Sequence, residues 1–142
     1  MHNNSKVIVP PIKCQGIKTK LIPFIRENIE WTDEEGIWYE PFVGTGVVLF
    51  NIAPKKAVCS DRNVHIINFY KGIQNKTITS KVVREYLEYH GAILEKEGEP
   101  YYKQMRDYFN ESGDPLAFLF LNRSDFNGMI RSKNYVEVET PV

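Results

Sequence analysis

The stretch YEPFVGTGVVLF, residues 39–50, constrains the fold of this chain more than any other segment. A short apolar run ends at two glycines, Gly44 and Gly46, and a second apolar run follows at once. Such a pattern is typical of a nucleotide-binding unit, in which a strand ends in a glycine turn and a helix begins beside the ligand. The stretch therefore predicts an α/β fold with a ligand site at the turn.

An acidic residue follows at the expected place. A second apolar run, KKAVCSD, ends at Asp61, 15 residues after Gly46, where an acid commonly binds ribose hydroxyls. The position three residues after Gly46 is Leu49 and not the third glycine of a dinucleotide fingerprint, so NAD is disfavoured. The turn better suits an adenosine with a zwitterionic tail, as in S-adenosylmethionine. The structural alternative is a glycine turn with Asp61 capping the next helix.

The periodicity of apolar residues divides the chain into two parts. Residues 1–78 alternate helix and strand and contain the expected nucleotide site, whereas residues 79–142 begin as a helical segment. Residues 101–109 are expected in the core. Two strands are too few for a stable doubly wound sheet, so we expect the sheet to be completed elsewhere. The expected elements are a helix at 20–28, a strand at 36–42, a helix at 45–53, a strand at 55–61 and a helix at 63–74.

Composition excludes several other classes of protein. The net charge is formally zero, which argues against a simple DNA-binding module, and no apolar run is long enough to span a membrane. The two cysteines, Cys14 and Cys59, suit neither a disulfide framework nor a zinc motif, and we expect Cys59 to pack in the sheet. His65 and His90 lack metal-ligand spacing, so surface or satisfied core positions are expected. The sequence predicts a cytoplasmic protein without a metal.

Three segments in order resemble a known family. PPIKCQGIKTKLIPFI, then YEPFVGTGVVLF with SDRN, then FLFLNRSDFNGMIR are similar to the Dam-like DNA adenine methyltransferases, the D12 class. The resemblance implies a Rossmann-like S-adenosylmethionine-dependent methyltransferase fold, here with an incomplete sheet. It makes residues 1–78 the cofactor-binding part and residues 79–142 a helical insertion leading into the start of a DNA target-recognition region. It also implies double-stranded DNA as substrate, methyl transfer to the exocyclic amine of adenine, and a restriction-modification system.

The resemblance assigns the cofactor-binding residues. Asp61 matches the ribose-binding acid, Phe42 the aromatic residue beside the cofactor, and Lys18 the lysine that ends the family's first segment. Cys14 stands where the family has tryptophan and Ile17 where it has a second glycine, which puts the aromatic contact from this segment in doubt. The full expected set is Lys18, Glu40, Phe42, Gly44, Gly46 and Asp61.

The resemblance also assigns DNA-binding residues. Asn122 and Arg123 match the family's L-N-R element, and Phe126 matches an aromatic residue that inserts beside the target base. Asn127 is its polar neighbour, and Arg131 aligns with an arginine that reads the recognition sequence, as an arginine can do with guanine. The structural alternative places Phe126 as a hydrophobic loop anchor and Arg131 on a solvated surface.

The family's catalytic D-P-P-Y motif does not occur in these 142 residues, whose one Pro-Pro pair, at positions 10–11, has no acid before it. No catalytic residue is therefore predicted, and we expect the chain alone to be inactive, as the front half of a methyltransferase. The alternative is a truncated or split, non-catalytic cofactor- or DNA-binding module that needs a partner chain to complete its sheet. An unrelated Rossmann-like enzyme would have to carry FLFLNRSDFNG by coincidence.

Overall fold

The computed structural model describes residues 6–31 and 36–124. Within these ranges the chain forms a 3₁₀ turn, six α-helices and two strands, so its α/β content is confirmed. The predicted elements all occur, and most are shorter than the sequence pattern suggests. They are the 3₁₀ turn Thr19–Leu21, α1 Ile22–Asn28, β1 Trp38–Glu40, α2 Val47–Ile52, β2 Ala57–Cys59, α3 Val64–Gln74, α4 Ser80–Glu97, α5 Glu99–Ser112 and α6 Pro115–Ser124.

The sheet is parallel and, in the part of the chain that is described, has two strands. Tyr39 of β1 lies opposite Val58 of β2, and Glu40 lies opposite Cys59. The apolar sequence of residues 36–42 predicts a buried strand, and this prediction is wrong, because Tyr39 is 66% exposed. Val58, beside it on β2, is 52% exposed. Successive strand side chains point to opposite faces, so this pair marks one face that no described element covers.

The other face of the sheet is partly buried. Cys59 is half-buried there, as predicted for a packing residue. Burial raises the pKa of the Cys59 thiol, and the nearby Glu40 carboxylate adds to this effect. A raised pKa disfavours the thiolate, which is the reactive form of cysteine. The environment of Cys59 therefore suits packing better than nucleophilic chemistry.

The core is built around α6. Six consecutive residues of this helix, 117–122, are buried, because its sequence is apolar on nearly all sides and α3, α4 and α5 pack around it. Burying a side chain such as Phe120 stabilises the fold by about 1.5–3 kcal/mol. The buried cluster also contains Ile12, Ile66, Phe69, Ile78, Tyr101, Met105 and Phe109.

This one cluster includes residues from both sides of position 78. Tyr101, Met105 and Phe109 confirm that residues 101–109 contribute to the core. The division of the chain into a cofactor part and a recognition part stays a prediction. Across the two described ranges, every helix is too short or too polar to cross a membrane.

Candidate cofactor site at the carboxyl edge of the sheet

The chain turns sharply after β1, and the two glycines make this possible. Gly44 and Gly46 have φ values of 51° and 77°, a region that favours glycine. The turn closes through Gly46 N–H, which donates to the carbonyl of Val43 at 2.8 Å. A Cβ at Gly46 would lie 2.9 Å from the Phe50 ring, whereas a Cβ at Gly44 would meet nothing within 4 Å. Gly46 is thus required by packing, and the space beside Gly44 is open.

Asp61 joins the glycine turn to the loop after β2. Its Oδ2 accepts a hydrogen bond from Gly44 N–H at 2.8 Å, and its Oδ1 accepts one from Asn63 N–H at 2.8 Å. The helix cap that the structural alternative gave to Asp61 belongs instead to Asn63, whose side chain accepts from His65 N–H at the start of α3. Each carboxylate oxygen has a second lone pair, so Asp61 retains acceptor capacity for a ligand.

Two further predicted residues flank the same edge. Glu40 ends β1, and its Oε2 accepts a hydrogen bond from the Trp38 indole at 3.1 Å. Burial raises the pKa of the Glu40 carboxyl, and the indole hydrogen bond partly offsets this effect. Phe42 lies just beyond the strand and is 80% exposed, so its ring face is open to a ligand.

The turn is also anchored from behind. Val43 N–H donates to the carbonyl of Ser60 at 2.9 Å, which extends the strand pairing into the turn. The Tyr70 hydroxyl of α3 donates to the carbonyl of the buried Thr45 at 2.5 Å, and burial raises the pKa of that phenol. Sequence reasoning missed this contact, since Tyr70 lies 25 positions away from Thr45. Hydrogen bonds from the loop after β2 and from α3 therefore both hold the glycine turn.

The edge brings together five of the six predicted cofactor residues, namely Glu40, Phe42, Gly44, Gly46 and Asp61. Carboxylate acceptors, an exposed aromatic ring and a bare stretch of backbone are the groups that a nucleoside needs for its ribose, base and close approach. These residues therefore fit an adenosine-containing cofactor.

Lys18 lies on a different segment, the exposed loop 14–18 before the 3₁₀ turn. Its Nζ donates to the carbonyl of Gly16 at 3.2 Å. Cys14, at the family's tryptophan position, is exposed. The described contacts thus place Lys18 within its own loop, and a direct role with the cofactor stays a prediction.

The predicted DNA-binding residues divide into two groups. Phe126, Asn127 and Arg131 lie outside the described residues. Asn122 and Arg123 end α6, where Arg123 is exposed and its Nη1 donates to the carbonyl of Pro11 at 3.5 Å.

Asn122 has a different environment from the one its expected role requires. Its side chain is 2% exposed and hydrogen-bonds both the peptide N–H and the carbonyl of Lys13. A DNA contact needs an exposed amide, so the geometry assigns Asn122 to the interior. In the sequence, the only sign that Asn122 is buried is that this polar residue stands at the end of an apolar run.

His65 and His90 both pack against aromatic rings of the described core. His90 Nδ1 lies 2.6 Å from the Tyr101 hydroxyl, as expected for a satisfied core position. His65 packs against the rings of Phe109 and Phe118, and its buried Nδ1 has no hydrogen-bond partner among the described atoms. Burial lowers the pKa of both imidazoles. A search of residues 6–31 and 36–124 finds no group of three potential metal ligands.

The chain is similar to known DNA methyltransferases. A family model for the D12 class N6 adenine-specific DNA methyltransferases matches residues 15–142. A Type II methyltransferase, M.MjaIII of Methanocaldococcus jannaschii, is 32% identical over 94% of this chain and 52% of its own length. For M1.LlaDCHI of Lactococcus lactis the identity is 31%, over 97% and 49%. The DNA adenine methylase of Escherichia coli K12 is 33% identical over 72% and 37%. The chain spans about half the length of the first two relatives.

Proposed function

This chain belongs to the D12 class of N6 adenine-specific DNA methyltransferases, and on that premise we propose that it is the cofactor-binding portion of a site-specific DNA adenine methyltransferase. The observation that carries the proposal is the edge at which Gly44 N–H donates to the Asp61 carboxylate, two residues after the exposed Phe42. This arrangement supports S-adenosylmethionine as the cofactor and a Rossmann-like order of elements around it.

Within this proposal each residue at the edge has a physical task. The Asp61 carboxylate accepts hydrogen bonds from the ribose hydroxyls, and the Phe42 ring packs against the adenine of the cofactor. The open backbone at Gly44 allows close approach, and Gly46 maintains the turn. S-adenosylmethionine, when bound, supplies an electrophilic methyl carbon. Because binding and orientation supply much of the rate in such a transfer, these contacts contribute to catalysis through position.

Under the same proposal, the end of α6 and the residues after it contact DNA. Arg123, Phe126, Asn127 and Arg131 are the candidates, with Phe126 filling the gap left by a flipped adenine and Arg131 reading guanine. Arg123 is exposed near the end of α6, which supports a DNA contact at this end of the helix. We further propose that the protein acts in the cytoplasm, where it meets DNA, as part of a restriction-modification system.

A second candidate function follows from the exposed face of the sheet. Tyr39 and Val58 are side by side and more than half exposed, which is unusual for a parallel sheet, since such sheets are normally covered on both faces. The exposed face, together with the two strands of the described sheet, supports a cofactor- or DNA-binding module whose sheet is covered and completed by further elements. Those elements come from a longer form of this polypeptide or from a partner chain.

Two measurements separate these proposals. The first is the mass of the protein as its source cell produces it, together with any polypeptide that co-purifies. The second is incubation of that native species with unmethylated duplex DNA and labelled S-adenosylmethionine, followed by nucleoside mass spectrometry for N6-methyladenine. We expect methyl transfer by a native species heavier than 16.5 kDa. A native species of 16.5 kDa that binds the cofactor without transfer would favour the binding module.

A native species that binds neither S-adenosylmethionine nor DNA, and methylates no DNA, would contradict both proposals. A matched control is the 142-residue chain expressed alone. It should bind the cofactor without methylating DNA if the edge site functions independently. Competition by S-adenosylhomocysteine would show that the label occupies the same site.

A further inference from the structure

Two buried asparagines bind the irregular N-terminal segment as a β-strand partner would. Asn122 Oδ1 accepts from Lys13 N–H at 2.7 Å, and Asn122 Nδ2 donates to the Lys13 carbonyl at 2.8 Å. Asn51 repeats the arrangement on Ile8, with distances of 2.9 Å and 2.8 Å. A primary amide has the donor and acceptor geometry of a peptide, so each asparagine satisfies both backbone groups of one residue.

The contacts of Asn51 and Asn122, together with the burial of Ile12, fix the segment at three points. Asn51 and Asn122 are 8% and 2% exposed, and Ile12 between the two contacts is 1% exposed within the main core. Backbone groups near the core need partners, and no regular strand supplies them here. The amide of Asn122 is therefore the last fixed point before the exposed loop 14–18.

The position of that loop matters because it contains Lys18, five residues after Lys13. We propose that Asn122 is a positioning residue for cofactor binding, which fixes the base of loop 14–18 from the end of α6 and so orders Lys18 for the cofactor. This inference rests on the proposed function, since Lys18 is a cofactor residue only if the chain binds S-adenosylmethionine. Without the Asn122 contact the loop has more conformations to lose on binding, and affinity falls.

The substitution Asn122→Asp provides a readout that a purely structural role would not affect. An ionised carboxylate sets an oxygen against the Lys13 carbonyl in place of the amide donor. A protonated carboxyl has both a donor and an acceptor and restores the original pairing. Burial raises the pKa of a carboxyl in such a place, so restoration begins above the ordinary pKa range of aspartate.

The experiment is a titration of the 142-residue chain with S-adenosylmethionine from pH 8 to pH 5.5. At pH 8 we expect Asn122→Asp and Asn122→Ala to bind about tenfold more weakly than the wild type, about the effect of one hydrogen bond. As the pH falls, affinity relative to the wild type should recover for Asn122→Asp and stay low for Asn122→Ala. Hydrogen exchange at the Lys13 amide, followed by NMR, should slow in parallel with the recovery.

The possible outcomes are distinguishable. If the wild type binds and both folded variants bind as tightly as the wild type at pH 8, while Lys13 amide protection is lost, the inference is wrong and the proposed function stands. Equal affinity ratios at every pH for the two variants would also overturn it. If the wild type itself binds no S-adenosylmethionine, the proposed function fails and this inference fails with it. Should Asn122→Asp not fold, Asn122→Ala decides the question through affinity and Lys13 exchange together.

Discussion

Replacing Asp61 with alanine tests the candidate site most directly. The carboxylate accepts two backbone hydrogen bonds, each of 2.8 Å, from Gly44 and Asn63. A hydrogen bond to a charged group contributes about 1.5–3 kcal/mol, and the exposed Asn63 contact contributes less because water replaces it. We therefore expect Asp61→Ala to lower the free energy of unfolding by about 2 kcal/mol, or the Tm by about 6 °C.

The variant should lose more free energy of cofactor binding than free energy of unfolding. If Asp61 also accepts from two ribose hydroxyls, the variant loses about 2–4 kcal/mol of binding free energy, or about 30- to 1000-fold in Kd. Isothermal titration with S-adenosylmethionine measures Kd, and thermal unfolding without ligand measures the structural effect. The two measurements separate the role of Asp61 in binding from its role in the loop.

Ser60→Ala is the matched control. The Ser60 hydroxyl also links the two loops, donating to the Pro41 carbonyl at 3.0 Å, but it is not a ribose acceptor in the proposed site. This variant should have a slightly lower Tm and bind the cofactor as the wild type does. Unchanged Kd in Asp61→Ala despite a lower Tm would refute the binding role. Equal losses of affinity in both variants would show that loop order, and not the carboxylate, controls binding.

Two other predictions concern the glycine turn and pH. Gly46→Ala should destabilise the fold by more than the roughly 1–2 kcal/mol cost of its left-handed backbone, because the new Cβ meets the Phe50 ring. Gly44→Ala should destabilise the fold only by that backbone cost but should weaken cofactor binding. The same Kd in both variants would contradict this assignment. Burial lowers the pKa of His90 below 6.5, partly offset by Asp114, so its stabilising effect is present above pH 6.5 and lost as pH falls through the lowered value. Urea unfolding at pH 7.5 and 5.5 should show a smaller stability loss for His90→Phe than for the wild type, and an identical loss would exclude His90 as a cause.

Much of the fold was predictable because its signals are local. The turn at 44–46 needs glycine for backbone and packing reasons that involve residues within a few positions. The helix α6 is apolar on nearly all sides, so its central place in the core follows from its own composition. The meeting of Asp61 with Gly44 was also predictable, because the carboxyl ends of paired parallel strands lie at one edge.

Other features depended on contacts between distant parts of the chain. The exposure of Tyr39 could not be read from an apolar strand sequence, since it depends on which elements cover the sheet. Asn63, and not Asp61 as in the structural alternative, caps the next helix, because the Asp61 carboxylate accepts a hydrogen bond from Gly44 N–H in the turn. Aspartate and asparagine both suit a helix cap, so local preference alone does not reveal that Asn63 is the cap here.

The sequence by itself determined a strand, a glycine turn, a helix and an acid in the order of a nucleotide site, because each depends on backbone preferences and short spacings. Only the tertiary structure revealed the burial and contacts of Asn122. The resemblance implies a DNA contact for this residue, whereas the structure pairs its amide with Lys13, 109 positions away in the sequence. A buried amide must satisfy its hydrogen bonds with whatever backbone the fold brings to it, and no local pattern specifies that partner.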